Sequence, residues 1–327
     1  MARVFSGVQP TGALHIGNYL GALRQFEAAP GHLYCIVDWH AITEPHDPAQ
    51  LHRGTLHVAS AMIALGLHEE SVLFVQSHVP AHVELMWYMT CTGTMGELQR
   101  MTQYKAKAKG RRSVSVGLFA YPLLMAADIL LYRTEKVPVG EDQRQHVELT
   151  RDLAERFNSR FGETFVLPEA VMPPAGARVR SLTKPLEKMS KSDPDPDSKI
   201  LLLDSPDEIR RKIKKAVTDT GREIRYDPQE KPGISNLLEI QSAFTGEPIS
   251  KLEEMYAGKT YRELKEQVAE VVVEGLRPLR EKMEAIAAHP GEIEGILKEG
   301  AEKAAALAEP MLKEVRQKLG FLERLPS

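Results

Sequence analysis

Hydrophobic positions along the chain switch between two rhythms. Val4-Phe5-Ser6-Gly7-Val8 is a short apolar run closed by Pro10 and Gly12, and residues 16–26 then carry apolar side chains at helical spacing. That is a strand, a turn and a helix. Leu33-Tyr34-Cys35-Ile36-Val37 and Val72-Leu73-Phe74-Val75 repeat the buried-strand pattern, with a helical pattern over 48–67 between them. Strands alternating with helices predict a parallel sheet, hence an α/β fold. From residue 80 to about 132 the pattern is helical and rich in Met, Leu and aromatic residues, which reads as an insertion between two halves of the sheet. A strand over 136–139 and a helix over 147–157 resume the alternation. The most apolar stretch, 114–132, is interrupted by Pro122 and Asp128 and predicts a buried helix rather than a membrane span.

Past the middle of the chain the strands stop. Ser205-Pro206-Asp207-Glu208 is a capping box with proline at the first helical position, and Ile209, Ile213 and Val217 follow at intervals of four as one face. Arg210, Arg211, Lys212, Lys214 and Lys215 crowd the other side, facing either RNA phosphate or water. Helical patterns continue over 237–244, 261–279 and 293–319. The chain of 327 residues has a formal net charge of −3, so any nucleic-acid surface needs its basic residues gathered on one face. Its only cysteines, Cys35 and Cys91, are too few for a four-cysteine zinc or iron–sulfur site and read as buried thiols. The N-terminus has no basic segment leading into a long apolar run, which predicts a cytoplasmic protein without a membrane partner.

Two distant segments carry the chemistry. Pro10-Thr11-Gly12-Ala13-Leu14-His15-Ile16-Gly17-Asn18 lies at the carboxyl end of the first strand and opens a helix, the place where open α/β sheets present free N–H groups to phosphate. His15 and Asn18 add donors there. Lys188-Met189-Ser190-Lys191-Ser192 adds ammonium and hydroxyl groups on a loop between polar flanks, suited to a polyphosphate whose leaving oxygen gathers charge. The first segment alone reads equally well as an ordinary turn, and the second alone reads better as a solvated basic loop. Asp128 stands among Leu123, Leu124, Met125, Ile129 and Leu130, and a carboxylate on so apolar a helix needs a donor, whether an arginine of the protein or a ligand.

These segments resemble the paired signatures of class I aminoacyl-tRNA synthetases, with Asn18 where many members carry a second histidine. Phe5-Ser6-Gly7-Val8-Gln9-Pro10-Thr11-Gly12, Ala126-Ala127-Asp128-Ile129-Leu130, Val137-Pro138-Val139-Gly140-Glu141-Asp142-Gln143 with His146, and Lys231-Pro232-Gly233-Ile234-Ser235-Asn236 narrow the resemblance to tryptophanyl-tRNA synthetases of the bacterial type, over nearly the whole chain. The resemblance implies a Rossmann-like catalytic domain over 1–193, with a dimer-forming helical insertion at about 80–132 and the lysine loop at 188–192. An anticodon-reading helical domain is implied over 194–327. It also implies ATP, L-tryptophan and tRNA(Trp) as substrates, Mg²⁺ bound with the ATP phosphates rather than by a metal site of the protein, and a homodimer.

By the same resemblance, Asp128 accepts the indole N–H, Phe5, Met125, Ile129, Val137 and Val139 pack the ring, and Tyr121 and Gln143 hold the α-amino group. Gln9, Pro10, Thr11, Gly17, Asn18, Gly140, Glu141, Asp142, backbone at Val179, and Lys188, Met189, Ser190, Lys191 and Ser192 match positions that hold ATP. His15, Lys107, Lys188 and Lys191 are expected to stabilise the charge that builds on the phosphates. A tyrosine-specific relative, a nucleotidylyltransferase and a non-catalytic synthetase paralogue are the competing readings. Met125 and Asp128 favour tryptophan, the helical tail is surplus to a nucleotidylyltransferase, and both signatures are intact.

Overall fold

The computed structural model describes residues 2–172 and 178–322. Its elements run β1 (Val4–Val8), α1 (Ile16–Gly21), β2 (His32–Ile36), α2 (Asp38–Ala41), α3 (Pro48–Ala64), α4 (Leu67–Glu70) and β3 (Val72–Val75). The insertion follows as α5 (Ala81–Thr92), α6 (Met95–Arg100), α7 (Thr102–Ala108) and α8 (Val116–Leu130). Then come β4 (Lys136–Pro138), α9 (Arg144–Phe161), β5 (Glu169–Val171), α10 (Pro206–Lys215), α11 (Pro232–Thr245), α12 (Ile249–Met255), α13 (Tyr261–Ala287) and α14 (Pro290–Leu319). The five strands form one parallel sheet in the order β3-β2-β1-β4-β5. The chain runs outward from β1 in one direction through β2 and β3, and in the other through β4 and β5. Between β1 and β4 the order therefore reverses, and a crevice opens beyond the strands' carboxyl ends.

Three local expectations are corrected. The first helix stops at Gly21 and is followed by a 3₁₀ turn at Leu23–Gln25, so it does not run on to residue 26. Helix α10 buries Ile209 and Ile213 but ends at Lys215; Val217 is 46% exposed, because its N–H leaves the helical path to donate to the carbonyl of Leu182 at 2.8 Å. Cys35 is buried as expected, whereas Cys91 is exposed on α5. Strand β5, only three residues long, has too short an apolar pattern to announce itself.

Four of the five basic residues of α10 pair with acids within the molecule. Arg211 and Lys215 both reach Asp197, at 2.6 and 2.8 Å, Arg210 takes Glu270 at 2.7 Å, and Lys212 is buried against Asp204 at 2.6 Å. The helical half also packs into the half that holds the sheet, so core packing crosses the expected boundary at residues 193 and 194. Helix α13 lies on α3, and α14 covers the edge strand β3. At Gly300 a Cβ would sit 1.8 Å from the carbonyl oxygen of Leu73, so only a glycine allows α14 to approach the strand this closely. Gly300→Ala should destabilise the protein by about 1–3 kcal/mol through overpacking, read as a lower urea midpoint at unchanged slope. An unchanged midpoint would show that α14 can lift from the sheet at no cost.

Candidate active site

The two signature segments meet in space. Ile16 N–H donates to the carbonyl of Ile200 at 2.9 Å and Leu202 N–H to that of Leu14 at 3.0 Å, which joins the start of α1 to the chain just beyond the lysine loop. The loop itself hangs from Met189 N–H bonding Val179 O at 3.2 Å and Ser181 N–H bonding Glu187 O at 2.9 Å. Met189 is buried as its anchor, while Lys188, Ser190 and Ser192 are exposed and Lys191 is half-buried. Lys191 Nζ donates to the carbonyl of Gln9 at 3.4 Å, and Lys199 Nζ braces the loop by donating to the carbonyls of Lys191 and Asp193. The signature turn is equally tight. Gly12 has φ +69°, and a Cβ on Gly54 of α3 would fall 2.2 Å from the carbonyl oxygen of buried Pro10.

His15 is 2% exposed, and its Nδ1 has no hydrogen-bond partner among the described residues. Burial first, then Lys191, Lys199 and Lys188, push its pKa down to about 4. The ring is neutral near pH 7 and offers an N–H, while positive charge comes from the lysines. Asn18 commits its side-chain oxygen to the backbone N–H of His15 at 3.2 Å, which caps α1. Burial holds the Lys191 ammonium down to about 8.

A cavity of about 460 Å³ opens at the β1/β4 crevice. All eight residues expected to hold tryptophan line it: Phe5 from β1, Tyr121, Met125, Asp128 and Ile129 from α8, Val137 from β4, and Val139 and Gln143 just after it. Gln9, Lys107, Gly140 and Asp142 of the nucleotide and catalytic sets line it too. Glu141 does not; its carboxylate lies 3.9 Å from Arg144. A Cβ on Gly140 would fall 2.9 Å from Asp142 Oδ1, so glycine there makes room for the carboxylate. Lys107 lies 3.4 Å from Glu44, which also holds Arg111 at 2.7 Å, and stands 5.5 Å over the Tyr121 ring.

The Asp128 carboxylate, 1% exposed, is held by side chains from three other elements. Oδ1 accepts from Gln76 Nε2 at 2.7 Å and His82 Nδ1 at 2.6 Å, and Oδ2 accepts from His40 Nε2 at 2.8 Å. Burial by itself would raise its pKa; the hydrogen bonds from His40 and His82 outweigh burial and hold the group at about 2. A carboxylate has about four acceptor positions. Three are filled here, and the open one belongs to Oδ2, on a residue that lines the cavity. At the other end of the cavity Tyr121 O–H lies 2.7 Å from His146 Nε2. Burial and then His40 push the pKa of His146 down to about 4, so a neutral ring stands against the Tyr121 hydroxyl, whose oxygen keeps at least one lone pair for a cationic ligand group.

Sequence reasoning missed His40, His82 and Gln76 around Asp128, Gln103 in the cavity wall, Glu44 beside Lys107 and Lys199 behind the loop. A buried carboxylate signals that donors exist but not where in the chain they lie. A second hollow, of about 670 Å³, is lined by Arg210, Lys214, Lys259, Arg262 and Lys265 among others. It lies on the helical half and contains none of the signature residues.

A family model described as tRNA synthetases class I (W and Y) matches residues 1–277. A tryptophan-tRNA ligase from Caldanaerobacter subterraneus subsp. tengcongensis is 55% identical over 99% of this chain and 100% of its own. One from Bacillus anthracis is 53% identical over 98% of each chain. The solved tryptophanyl-tRNA synthetase from Campylobacter jejuni, complexed with ADP and tryptophan, matches with a TM-score of 0.85 and 37% identity over 98% of this chain and 100% of that one. Tyrosyl-tRNA synthetase from Aeropyrum pernix, at 21% identity and a TM-score of 0.65, shares the fold. The chain belongs to the class I tRNA synthetases for tryptophan and tyrosine. Within that class, both relatives quoted at more than half identity are tryptophan-tRNA ligases.

Proposed function

We propose that this chain attaches L-tryptophan to tRNA(Trp) at the expense of ATP. The observation that carries the tryptophan assignment is the ionised, buried Asp128, with one acceptor position open in a cavity that also holds Gln9, Gly140 and Asp142. An indole N–H fills that position. The phenol of tyrosine, one ring shorter, leaves the ring pocket of Phe5, Met125, Ile129, Val137 and Val139 underfilled. Tyr121 and Gln143 take the α-ammonium group, which leaves the substrate carboxylate facing the nucleotide.

In the first step a carboxylate oxygen of tryptophan forms a bond to the α-phosphorus of ATP as the bond to pyrophosphate breaks, giving tryptophanyl-adenylate. In the second, a ribose hydroxyl of the terminal tRNA nucleotide attacks the acyl carbon, loses its proton and expels AMP. No protein nucleophile is needed. Lys188, Lys191 and Lys107 meet the charge on the departing pyrophosphate, the His15 N–H and the helix α1 N-terminus orient the phosphates, and Asp142 accepts from the nucleotide ribose. Gln9, Pro10, Thr11, Gly17, Asn18, Glu141, Val179, Met189, Ser190 and Ser192 complete the nucleotide cradle. Mg²⁺ arrives on the ATP phosphates as part of the substrate and neutralises them further; among the described residues no cluster of three or more His, Cys, Asp or Glu side chains stands ready for a metal ion.

The helical half, 194–327, reads the anticodon in this account. No helix among the described residues is long and apolar enough to cross a membrane, and a tRNA partner fits the expected cytoplasmic setting. The test is charging of tRNA(Trp) with labelled tryptophan. Accumulation of tryptophanyl-tRNA is expected. Adenylate formation without charging would contradict the assignment of tRNA as the acceptor.

The protein is a homodimer in this account, formed through the insertion. Val83 and Trp87, one turn apart on α5, and Met95 at the start of α6 are 45%, 64% and 64% exposed, an apolar surface suited to a second copy. Trp87→Glu should turn the dimer into a monomer in sedimentation velocity while the fold survives, because an exposed side chain leaves the core untouched. A dimer that persists would place the interface elsewhere.

A further inference from the structure

His82 has no part in the chemistry above, yet it is 0% exposed and sits at the second residue of α5, away from the cavity lining. Aromatic rings enclose it, with Tyr132, Phe74 and Trp39 centroids at 5.4, 5.8 and 6.5 Å. Both ring nitrogens are engaged. Nδ1 lies 2.6 Å from Asp128 Oδ1 and Nε2 lies 2.7 Å from the Tyr132 hydroxyl. An ionised carboxylate needs a donor, so Nδ1 carries a proton, and the Nε2–Tyr132 hydrogen bond fixes the ring from its other side. Tyr132 in turn stacks on Phe5, centroids 5.9 Å apart and planes 12° apart, so the group that fixes the histidine also backs a wall of the cavity.

We propose that His82, backed by Tyr132, is a positioning residue for amino-acid selection, fixing the Asp128 carboxylate so that the open acceptor position of Oδ2 faces the cavity. The inference rests on Asp128 being the indole acceptor. A carboxylate turns readily about its last side-chain bond, whose torsional preference is broad. Gln76 and His82 together pin Oδ1 on the side away from the ligand. Without His82, the carboxylate can turn to satisfy itself with His40 and Gln76, and no acceptor is held for the ligand. An acceptor pinned from behind by a second layer of contacts is what a selective site requires.

The test compares pyrophosphate exchange by the full chain for tryptophan and for β-(3-benzothienyl)alanine, in which sulfur replaces the indole N–H. His82→Leu should lower the ratio of the two kcat/KM values by about 10²-fold, the cost of a misplaced group, through a raised KM for tryptophan with the sulfur analogue unaffected. His82→Asn places an amide N–H where Nδ1–H stood and should retain most of the ratio. Tyr132→Phe, which removes one oxygen, should lower the ratio in the same direction by less. An unchanged ratio in His82→Leu, an equal loss for both amino acids, or no rescue by His82→Asn would overturn the proposal. Should His82→Leu not fold, Tyr132→Phe decides: a lowered ratio supports the relay and an unchanged one rejects it. A wild-type ratio near one would show that Asp128 is not the indole acceptor, a failure of the parent reading distinguishable from the others because it needs no variant.

Discussion

Asp128→Asn should lower kcat/KM for tryptophan by about 10³–10⁴-fold, approaching the discrimination that a site built around one buried hydrogen bond can reach. The carboxamide has one oxygen where three donors converge, from His40, Gln76 and His82, and it turns an N–H₂ group toward at least one of them. The substitution leaves the ring pocket and the nucleotide side in place, so the KM for ATP should stay near its wild-type value. Stability should fall by about 1–3 kcal/mol for a donor left buried and unpaired, visible as a lower urea midpoint. Full retention of tryptophan use would remove Asp128 from the recognition of the indole. The native carboxylate stays ionised down to about pH 2, so tryptophan affinity should show no inflection from this group between pH 5 and 9.

Lys191→Ala should slow adenylate formation by about 10²–10³-fold, the usual cost of removing one preorganised charge donor, while tryptophan affinity changes little. The lysine stands at the junction of both signature segments, on the carbonyl of Gln9, and not in the tryptophan end of the cavity. Its pH dependence follows from its burial. Leaving water disfavours the charged form, so the free-enzyme ammonium loses its proton at about pH 8 rather than near 10, and the active form is the protonated one. The profile of kcat/KM for ATP should therefore fall above about pH 8, since that parameter reports the free enzyme. The fall in kcat should come at higher pH, because bound phosphate favours the ammonium. Lys191→Arg, always charged, should flatten the profile up to pH 9. Equal losses in adenylate formation and tryptophan affinity would make the loop a structural element instead.

The sheet and the outline of the cavity were legible because they rest on local patterns. Buried strands at residues 4–8, 33–37 and 72–75, a turn with Pro10 and Gly12, and the apolar helix around Asp128 each announce themselves within a few residues. The eight residues that the resemblance assigned to the amino acid all line one cavity. What stayed hidden depends on distant pairs. His40, Gln76 and His82 lie 88, 52 and 46 positions from the carboxylate they hold, and nothing in their neighbours marks them. Gly300 reads as a weak spot in a helix until Leu73 is seen beneath it. Likewise, the helical period that reached Val217 continued past the true end of α10, where a backbone bond to Leu182 outcompeted one more helical turn. His15 reads as a donor in the sequence; its burial beside Lys188, Lys191 and Lys199, which keeps the ring neutral, depends on residues far along the chain.

The decisive measurement is amino-acid-dependent exchange between ATP and pyrophosphate, run with tryptophan and tyrosine in parallel and without tRNA. Exchange is expected with tryptophan and none above background with tyrosine. Exchange driven by tyrosine would leave the fold standing and contradict the role given to Asp128, and silence with both would contradict the meeting of the two signature segments as a working ATP site.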